Sequence, residues 1–155
     1  MTSITAEEVC AEVKKFWEYF SRKSKNRFDE MYLPSATVFA ADSRRMEPAR
    51  LMLVRREREL FAAGSQVSAK LGTIDVQMAG RKLAVASYPF HFSITRTLAS
   101  GKRVRVEMPW GRATQVLQRD ENGVLRIVHE HMSSAEPVAP KELPAADQPP
   151  ASRPT

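Results

Sequence analysis

Apolar side chains recur every three or four residues near the start of this chain and every two residues near its end. This change of period predicts helices first and strands afterwards. The first helix begins after Thr5, because Thr5 and Glu8 have the spacing of a capping box, in which each side chain accepts the other residue's backbone N–H. The helix ends near Ser21. Its predicted buried stripe consists of Val9, Val13, Phe16, Trp17 and Phe20.

Two further helices and a brief strand are predicted in the next part of the chain. A short helix over 27–32 precedes a strand over 36–40. A longer helix begins at Pro48, which suits a first helical turn, and ends near Gly64. Its predicted apolar face consists of Leu51, Val54, Leu60 and Phe61.

The rest of the chain is predicted to be almost entirely strand. Segments rich in β-forming residues cover 73–78, 83–96 and 104–110, and polar turns separate them. Pro89 cannot donate to a strand ladder, so it predicts a bulge or a sheet edge within the second segment. Helices followed by a run of strands indicate an α+β domain with its helices on one face of an antiparallel sheet.

A long hairpin over 111–133 closes the strand region. Asn122-Gly123 predicts a primed turn, which needs positive φ at both central residues. A strict period of two divides the second strand into two faces, both partly apolar, so each face is expected to pack against something: helices and a cavity on one side, a partner subunit on the other. The two predicted faces are Val124, Arg126, Val128, Glu130 and Met132, and Leu125, Ile127, His129 and His131.

Composition and charge narrow the class of protein. The 155 residues are 43% hydrophobic and 27% charged, which suits one globular domain. The start has no signal-peptide pattern, no apolar run is long enough to cross a membrane, and Cys10 is the single cysteine, so the expected location is the cytoplasm. The net charge is +6, but acidic residues alternate with the basic ones, which favours a solvated mixed surface over nucleic-acid binding.

The domain boundary is predicted near residue 135. Prolines accumulate beyond it while large apolar residues become rare, which is typical of a disordered tail. We therefore predict a folded domain over 1–135 and a proline-rich disordered tail over 136–155. The tail prolines are at 137, 140, 144, 149, 150 and 154.

The closing hairpin carries a pattern that reads Gly111-Arg112-x-Thr114-x-Val116-x-x-Arg119, an acidic turn ending in Gly123, and Ile127-Val128-His129-x-His131-x-Ser133. This pattern resembles the C-terminal hairpin of the SnoaL-like family of the nuclear-transport-factor-2-like superfamily. It is also similar to the association domain of calcium/calmodulin-dependent kinase II. The resemblance covers about residues 6–134. It implies a cone-shaped, cystatin-like architecture of curved antiparallel sheet and N-terminal helices around a cavity, assembled as a homodimer through the outer sheet face.

The superfamily includes isomerases, cyclases, dehydratases, transport factors and oligomerisation modules, so the fold alone does not give the function. The resemblance implies a domain that binds a small apolar or mixed-polarity molecule, with acid/base chemistry of the ketosteroid isomerase or polyketide cyclase kind and no metal or cofactor. The alternative is a non-catalytic oligomerisation or interaction module. Ala40 stands where the isomerases have their aspartate base. Gln115 and Met132 stand where the kinase association domains have cavity arginines.

Three residues are candidate catalytic groups. Apolar surroundings would raise the pKa of Glu130 and make it a general acid or base. Tyr88 can donate to a carbonyl oxygen, and Asp42, two residues beyond Ala40, can serve as the base if its loop shifts. The alternative for Glu130 is a structural ion pair with Arg112 or Arg105.

A wider set of residues is expected to contact the ligand. His129 and His131 either present two imidazoles to a substrate or lie hydrogen-bonded at a sheet or dimer interface, and the interface is favoured. A metal site is not predicted, because no third ligand lies at a suitable spacing. The candidate ligand-binding residues are Trp17, Tyr88, His91, Glu107, Trp110, Arg112, Gln115, His129 and His131.

Overall fold

Three helices and eight strands make up the part of the chain that the computed structural model describes, which comprises residues 2–41, 43–59, 64–107 and 110–134. The predicted tail over 136–155 lies outside these residues. The helices are α1 (Ala6–Ser21), α2 (Lys25–Asp29) and α3 (Ala49–Glu59). The strands are β1 (Tyr32–Phe39), β2 (Glu47–Pro48), β3 (Gln66–Leu71), β4 (Asp75–Met78), β5 (Leu83–Thr97), β6 (Arg103–Glu107), β7 (Gly111–Arg119) and β8 (Leu125–Ser134).

The strands form one sheet in the order β2-β1-β8-β7-β5-β3, and β4 and β6 also pair with β5. The long β5 is the centre of this arrangement, because it pairs with four other strands. Each pairing is antiparallel except that of β1 with β8, which is parallel. The predicted α+β class with N-terminal helices and a curved sheet is confirmed, and the sheet is mixed rather than wholly antiparallel.

The first helix forms as its sequence predicts. Thr5 N–H donates to the Glu8 carboxylate at 2.8 Å, and Glu8 N–H donates to the Thr5 hydroxyl at 3.2 Å, so the capping box is present. The apolar stripe of α1 is buried as predicted. Since its aromatic members contact Tyr88, Phe90 and Phe92 of β5, α1 lies across the inner face of the sheet.

The predicted apolar face of α3 is wrong. Leu51 and Val54 are about half exposed, whereas Ala49 and Met52 are buried. Pro48 belongs to β2, and α3 begins one residue later. The other two residues of the predicted face, Leu60 and Phe61, lie outside the described residues. Among the described apolar side chains of this helix, Ala49 and Met52 are thus buried in the core and Leu53 is partly buried against it.

The strict alternation predicted for β8 fails at one residue. Leu117 of β7 pairs with Ile127, while its neighbour Val116 pairs with His129, so Val128 is an extra residue in β8. Such a bulge moves the following side chains to the opposite face. Leu125, Ile127, Glu130 and Met132 therefore all point inward and are buried.

The turn between β7 and β8 is not the primed turn predicted from Asn122-Gly123. Among the described residues, Lys23 is the only non-glycine residue with positive φ, so Asn122 does not have the backbone of a primed turn. Gly123 does have a positive φ, of 80°. The Asp120 carboxylate accepts the backbone N–H groups of Asn122 and Val124 at 2.9 and 2.8 Å, which fixes the turn in its observed form.

Other predicted boundaries shift by a few residues. The short helix ends at Asp29, and β1 begins at Tyr32, before Pro34, rather than at residue 36. Pro89 lies in the gap between the part of β5 that pairs with β3 and the part that pairs with β4. Neither strand therefore requires an N–H donor from residue 89, which a proline lacks. No helix within the described ranges has both the length and the apolar character to span a membrane.

Candidate functional site

An aromatic chamber lies between the helices and the inner face of the sheet. Its volume is about 10 Å³, which is room for roughly one water molecule. Rings from α1, α2 and β5 form most of its wall, and Met52 of α3 closes one side. The residues that line this chamber are Phe16, Trp17, Phe20, Phe28, Tyr32, Met52, Phe92, Glu130 and Met132.

Glu130 brings a carboxylate into this apolar space. Its side chain is only 2% exposed. The Tyr32 hydroxyl donates to one carboxylate oxygen at 3.1 Å, and the Gln115 amide nitrogen donates to the other at 2.7 Å. The bulge at Val128 is what directs Glu130 inward, because without it Glu130 would share a face with the outward-pointing residues of β8.

Tyr88 and Trp17 form a second buried polar contact beside the chamber. The indole N–H of Trp17 donates to the Tyr88 hydroxyl at 2.9 Å. Burial, and then the charge of Glu130, raise the pKa of Tyr88 well above its usual value of 10.0, although the Trp17 hydrogen bond acts in the opposite direction. The Tyr88 phenol is therefore protonated at neutral pH and available as a donor.

Gln115 supplies an unsatisfied acceptor next to the carboxylate. The residue is fully buried, and its side-chain oxygen has no hydrogen-bond partner among the described residues. Leaving a buried polar group without a partner costs about 1–3 kcal/mol. The unpartnered acceptor of Gln115 thus lies beside the Glu130 carboxylate, which lines the chamber.

The arrangement can bind or move a proton. A buried carboxylate is a potential general base, and a neutral phenol nearby is a potential donor to an oxygen that develops negative charge. Within the described ranges, no three His, Cys, Asp or Glu side chains come close enough together to hold a metal ion. The chemistry that these groups support by themselves is acid/base chemistry.

Several predicted ligand-binding residues lie outside the chamber. Strand alternation and the bulge place Arg112, His129 and His131 on the opposite side of the sheet, which we call the outer face. His129 Nδ1 is 2.8 Å from the Thr37 hydroxyl, and the His131 ring lies 5.5 Å from the Phe39 ring. His129 is therefore hydrogen-bonded to the neighbouring strand and His131 packs against a ring of the same strand, and their position at a dimer interface stays a prediction.

His91, Trp110 and Glu107 are also away from the chamber. The rings of His91 and Trp110 contact each other at 5.7 Å, and Trp110 is 46% exposed. Glu107 is exposed and pairs with Arg105 at 3.0 Å. Hydrogen bonds to the Glu130 carboxylate come from Tyr32 and Gln115, whereas Arg105, one of the two suggested ion-pair partners, pairs with Glu107.

Of the predicted catalytic residues, the structure brings Glu130 and Tyr88 together and leaves Asp42 outside the described residues. Trp17 and Gln115 join the first two. The sequence missed Tyr32, because it was assigned to the end of a helix. The alternation of apolar residues at 32, 36 and 38 was the signal that could have placed Tyr32 at the start of an inward-facing strand.

No protein-family model and no curated protein matches the sequence. Solved structures do resemble it. A nuclear transport factor 2-like superfamily protein from Salmonella enterica superposes with a TM-score of 0.68 at 18% identity, covering 88% of this chain and 94% of its own. A protein with a cystatin-like fold from Caulobacter vibrioides gives 0.64 at 16% identity, with 84% and 89% covered.

The hub homology domain of calcium/calmodulin-dependent kinase II from a Chlamydomonas alga gives a TM-score of 0.63 at 21% identity, and 84% of this chain and 98% of that chain are covered. Identities this low establish the fold and leave ligand and activity open. The curved sheet, the helices on its inner face and these superpositions agree with the resemblance noted in the closing hairpin. The chain has the nuclear-transport-factor-2-like, cystatin-like fold.

Proposed function

We propose that this protein is a homodimeric binding protein whose chamber takes a small, flat, largely apolar molecule carrying one hydroxyl or N–H group. The burial of the Glu130 carboxylate among aromatic rings carries this proposal. Apolar residues of similar volume at a buried ionic position are often neutral or stabilising, so a purely structural core has little need of this group. Ligand pockets combine apolar walls with a few polar groups in the same way.

The polarity of the site selects the ligand class. Glu130 and the Gln115 oxygen are acceptors, so they favour a ligand that donates a hydrogen bond. A ligand with its own negative charge would be repelled by Glu130 and would lose its hydration on entry. The surrounding rings favour a flat partner that stacks or makes edge contacts.

The ligand enters by opening the chamber, since its present volume of about 10 Å³ holds no more than a water molecule. Met52 of α3 is the most adaptable part of the wall, because methionine changes rotamer easily. Among the described side chains of α3, only Ala49 and Met52 are buried. Leu53 adds only partial burial, so few of these described side chains anchor the helix and it can move outward at low cost in free energy.

Glu130 and Tyr88 can also carry out proton transfer of the isomerase or cyclase kind. In this extension of the proposal, Glu130 removes a proton next to a carbonyl, and Tyr88 donates to the oxygen that becomes negative. The raised pKa of Tyr88 supports the second role, because a phenol must be neutral to donate.

The test uses three two-ring molecules that differ in one group: 2-naphthol, naphthalene and 2-naphthoate. In a protein-observed NMR titration, 2-naphthol should bind more tightly than naphthalene, and 2-naphthoate should bind least. Glu130→Gln should weaken 2-naphthol binding about tenfold, since a hydrogen bond to a charged group is lost. The exposed Glu107→Gln is the matched control and should change nothing. Equal binding of all three, or no binding to the unaltered protein, would contradict the proposal.

The dimer part of the proposal rests on the outer face. Thr37, Phe39, Val116, His129 and His131 come together there across β1, β8 and β7. These side chains carry no fixed charge, and they are half-buried or, for Phe39 and His131, exposed. Such a surface suits a partner of its own kind. The likeness to a kinase hub domain supports association and also supports the alternative function, an oligomerisation module without chemistry.

Sedimentation velocity tests the dimer. Val116→Glu places a charge at the centre of the outer face and should give a monomer. Val124→Glu introduces the same charge in the exposed hairpin turn and should leave the dimer intact. A monomeric unaltered protein, or a dimer that tolerates Val116→Glu, would contradict this part.

The cytoplasm is the location we propose. It is supported by Cys10, the single cysteine, which cannot form a disulfide within its own chain. Fractionation of the native host with an antibody against the protein would test it, and recovery outside the cytoplasmic fraction would contradict it.

A further inference from the structure

A polar groove of about 490 Å³ lies between the end of α1 and the start of β3, and its lining shares no residue with that of the chamber. It holds two cationic side chains and a group of hydroxyls. No Asp or Glu occurs among the described residues that line it. Its polar lining includes Lys23, Ser65, Ser68, Ser93, Thr95 and Arg105.

Lys23 occupies a backbone position that normally favours glycine. Lys23 N–H donates to the Phe20 carbonyl at 3.1 Å and Ser24 N–H donates to the Tyr19 carbonyl at 2.9 Å, which together form a Schellman motif at the end of α1. The φ of Lys23 is 54°. A long side chain is uncommon there. The motif fixes the backbone of Lys23, and its ammonium group lies at the groove, 3.4 Å from the Ser65 hydroxyl.

Arg105 lies on the other side of the groove. Its guanidinium group is 3.4 Å from the Ser93 hydroxyl, and Ser93 in turn is 2.8 Å from the Ser68 hydroxyl. The strand register explains this line, because Ser68 pairs with Ser93 on neighbouring strands and Arg105 lies across from Thr95. The Arg105 side chain is 60% exposed, so its donors are accessible from the groove.

The edge of the sheet adds further donors. Among the described strands, β3 is the last in the strand order and pairs only with β5. Half of the N–H groups of such an edge strand point away from the sheet. Three consecutive residues of this strand, 66–68, line the groove.

We propose that this groove binds a tetrahedral oxyanion, as a phosphate or sulfate group. Lysine supplies a point charge, and arginine supplies a planar pair of donors that matches oxyanion geometry. Hydroxyls and edge N–H groups can complete the hydrogen bonding. The site is separate from both the chamber and the outer-face residues of β1, β7 and β8, so it does not depend on the function proposed for either.

Isothermal titration with inorganic phosphate at constant ionic strength tests the proposal. The unaltered protein should show saturable binding, and Arg105→Gln should weaken it about tenfold. Lys23→Asn should weaken it similarly, and asparagine tolerates positive φ, so the helix end is preserved. Arg96→Gln is the control. It removes the same charge as Arg105→Gln, but Arg96 is exposed and lies outside the groove.

A second variant provides an independent test, because it should raise the affinity for phosphate instead of lowering it. Glu107 lies 3.0 Å from Arg105 and competes for its guanidinium group, so Glu107→Gln should strengthen phosphate binding. Glycerol 3-phosphate and vesicles containing phosphatidic acid distinguish a soluble phosphate ester from a lipid headgroup as the source of the anion. Absence of saturable phosphate binding, equal weakening by Arg96→Gln, or binding only of single-stranded DNA would each overturn the proposal.

Discussion

The hydroxyl of Tyr32 donates a hydrogen bond of 3.1 Å to the carboxylate of Glu130, across the parallel pair of strands β1 and β8. Tyr32 opens the first strand of the sheet and Glu130 lies in its last. The contact therefore joins the first and the last strand of the described chain at the chamber. It also holds the carboxylate in one orientation, which a binding site requires.

Removing this hydrogen bond should destabilise the protein. Tyr32→Phe leaves a buried carboxylate with one donor fewer, and we expect a loss of about 1–3 kcal/mol in the free energy of unfolding. Chemical denaturation followed by circular dichroism measures it. Tyr19→Phe is the control, because Tyr19 is only partly buried. Equal effects of the two changes would mean that the Tyr32 contact contributes nothing specific.

Tyr88→Phe should also destabilise the protein, in this case because a hydrogen-bond acceptor is lost. The buried Trp17 N–H would lose its acceptor, at a cost of about 1–3 kcal/mol. The environment of the indole would also change, so the near-ultraviolet circular dichroism of Trp17 should shift. A variant with unchanged stability and an unchanged spectrum would show that the hydrogen bond is absent in solution.

The pKa of Tyr88 predicts behaviour at high pH. Its folded value is raised above the ordinary 10.0, so the folded state keeps a proton that the unfolded state releases. The stabilisation is fully present below pH 10 and is lost as the pH rises from there toward the folded value. Unfolding free energies measured across this interval should fall more steeply for the unaltered protein than for Tyr88→Phe. Parallel curves would contradict the raised pKa.

The lowered pKa of Glu8 predicts how the stability of the protein changes at low pH. The hydrogen bond from Thr5 N–H, and then the contact with Arg119, lower the pKa of the Glu8 carboxyl below 4.5. Its contribution is present above pH 4.5 and is lost as the pH falls through the folded value. The free energy of unfolding should therefore fall less steeply with decreasing pH for Glu8→Gln than for the unaltered protein, and equal slopes would contradict the lowered pKa.

Gly111 should tolerate no side chain. A Cβ atom added there would lie 2.6 Å from the Phe90 ring and 3.1 Å from the Ser133 carbonyl oxygen. Gly111→Ala should lower the free energy of unfolding by about 1–3 kcal/mol, as overpacking of a core does. Gly101→Ala meets no atom within 4 Å but has φ +81°, so it should cost only about 1–2 kcal/mol. Thermal denaturation of both variants compares the two effects, and a smaller loss at Gly111 would contradict the packing described.

Local sequence signals predicted the parts of the fold that local forces determine. The capping box of α1 and its apolar stripe are examples, because both depend on contacts within a few residues. The bulge at Val128 is different. No glycine or proline marks it, and it follows from the packing of β8 against β1 and β7, which are distant in sequence. The parallel pairing of β1 with β8 was not predicted for the same reason, since the two strands are distant in sequence.

The site was predictable only in part. Glu130, Tyr88, Trp17 and Gln115 were all candidates, but the sequence did not say which face of each strand points inward, so residues such as Arg112 remained candidates beside them. The exposed Leu51 on α3 is a similar case. The helical spacing of apolar residues does not by itself identify which face of the helix is buried. Tyr32, the donor to Glu130, depended on a strand boundary that moved by four residues.

Native mass spectrometry of the purified protein, with Glu130→Gln beside it, tests the central claim most directly. We expect a dimer of the unaltered protein that retains a small-molecule mass or takes up added 2-naphthol, and a dimer of the variant that does neither. A dimer that carries no adduct and takes up no 2-naphthol, or a variant that binds as the unaltered protein does, would contradict a ligand site at Glu130.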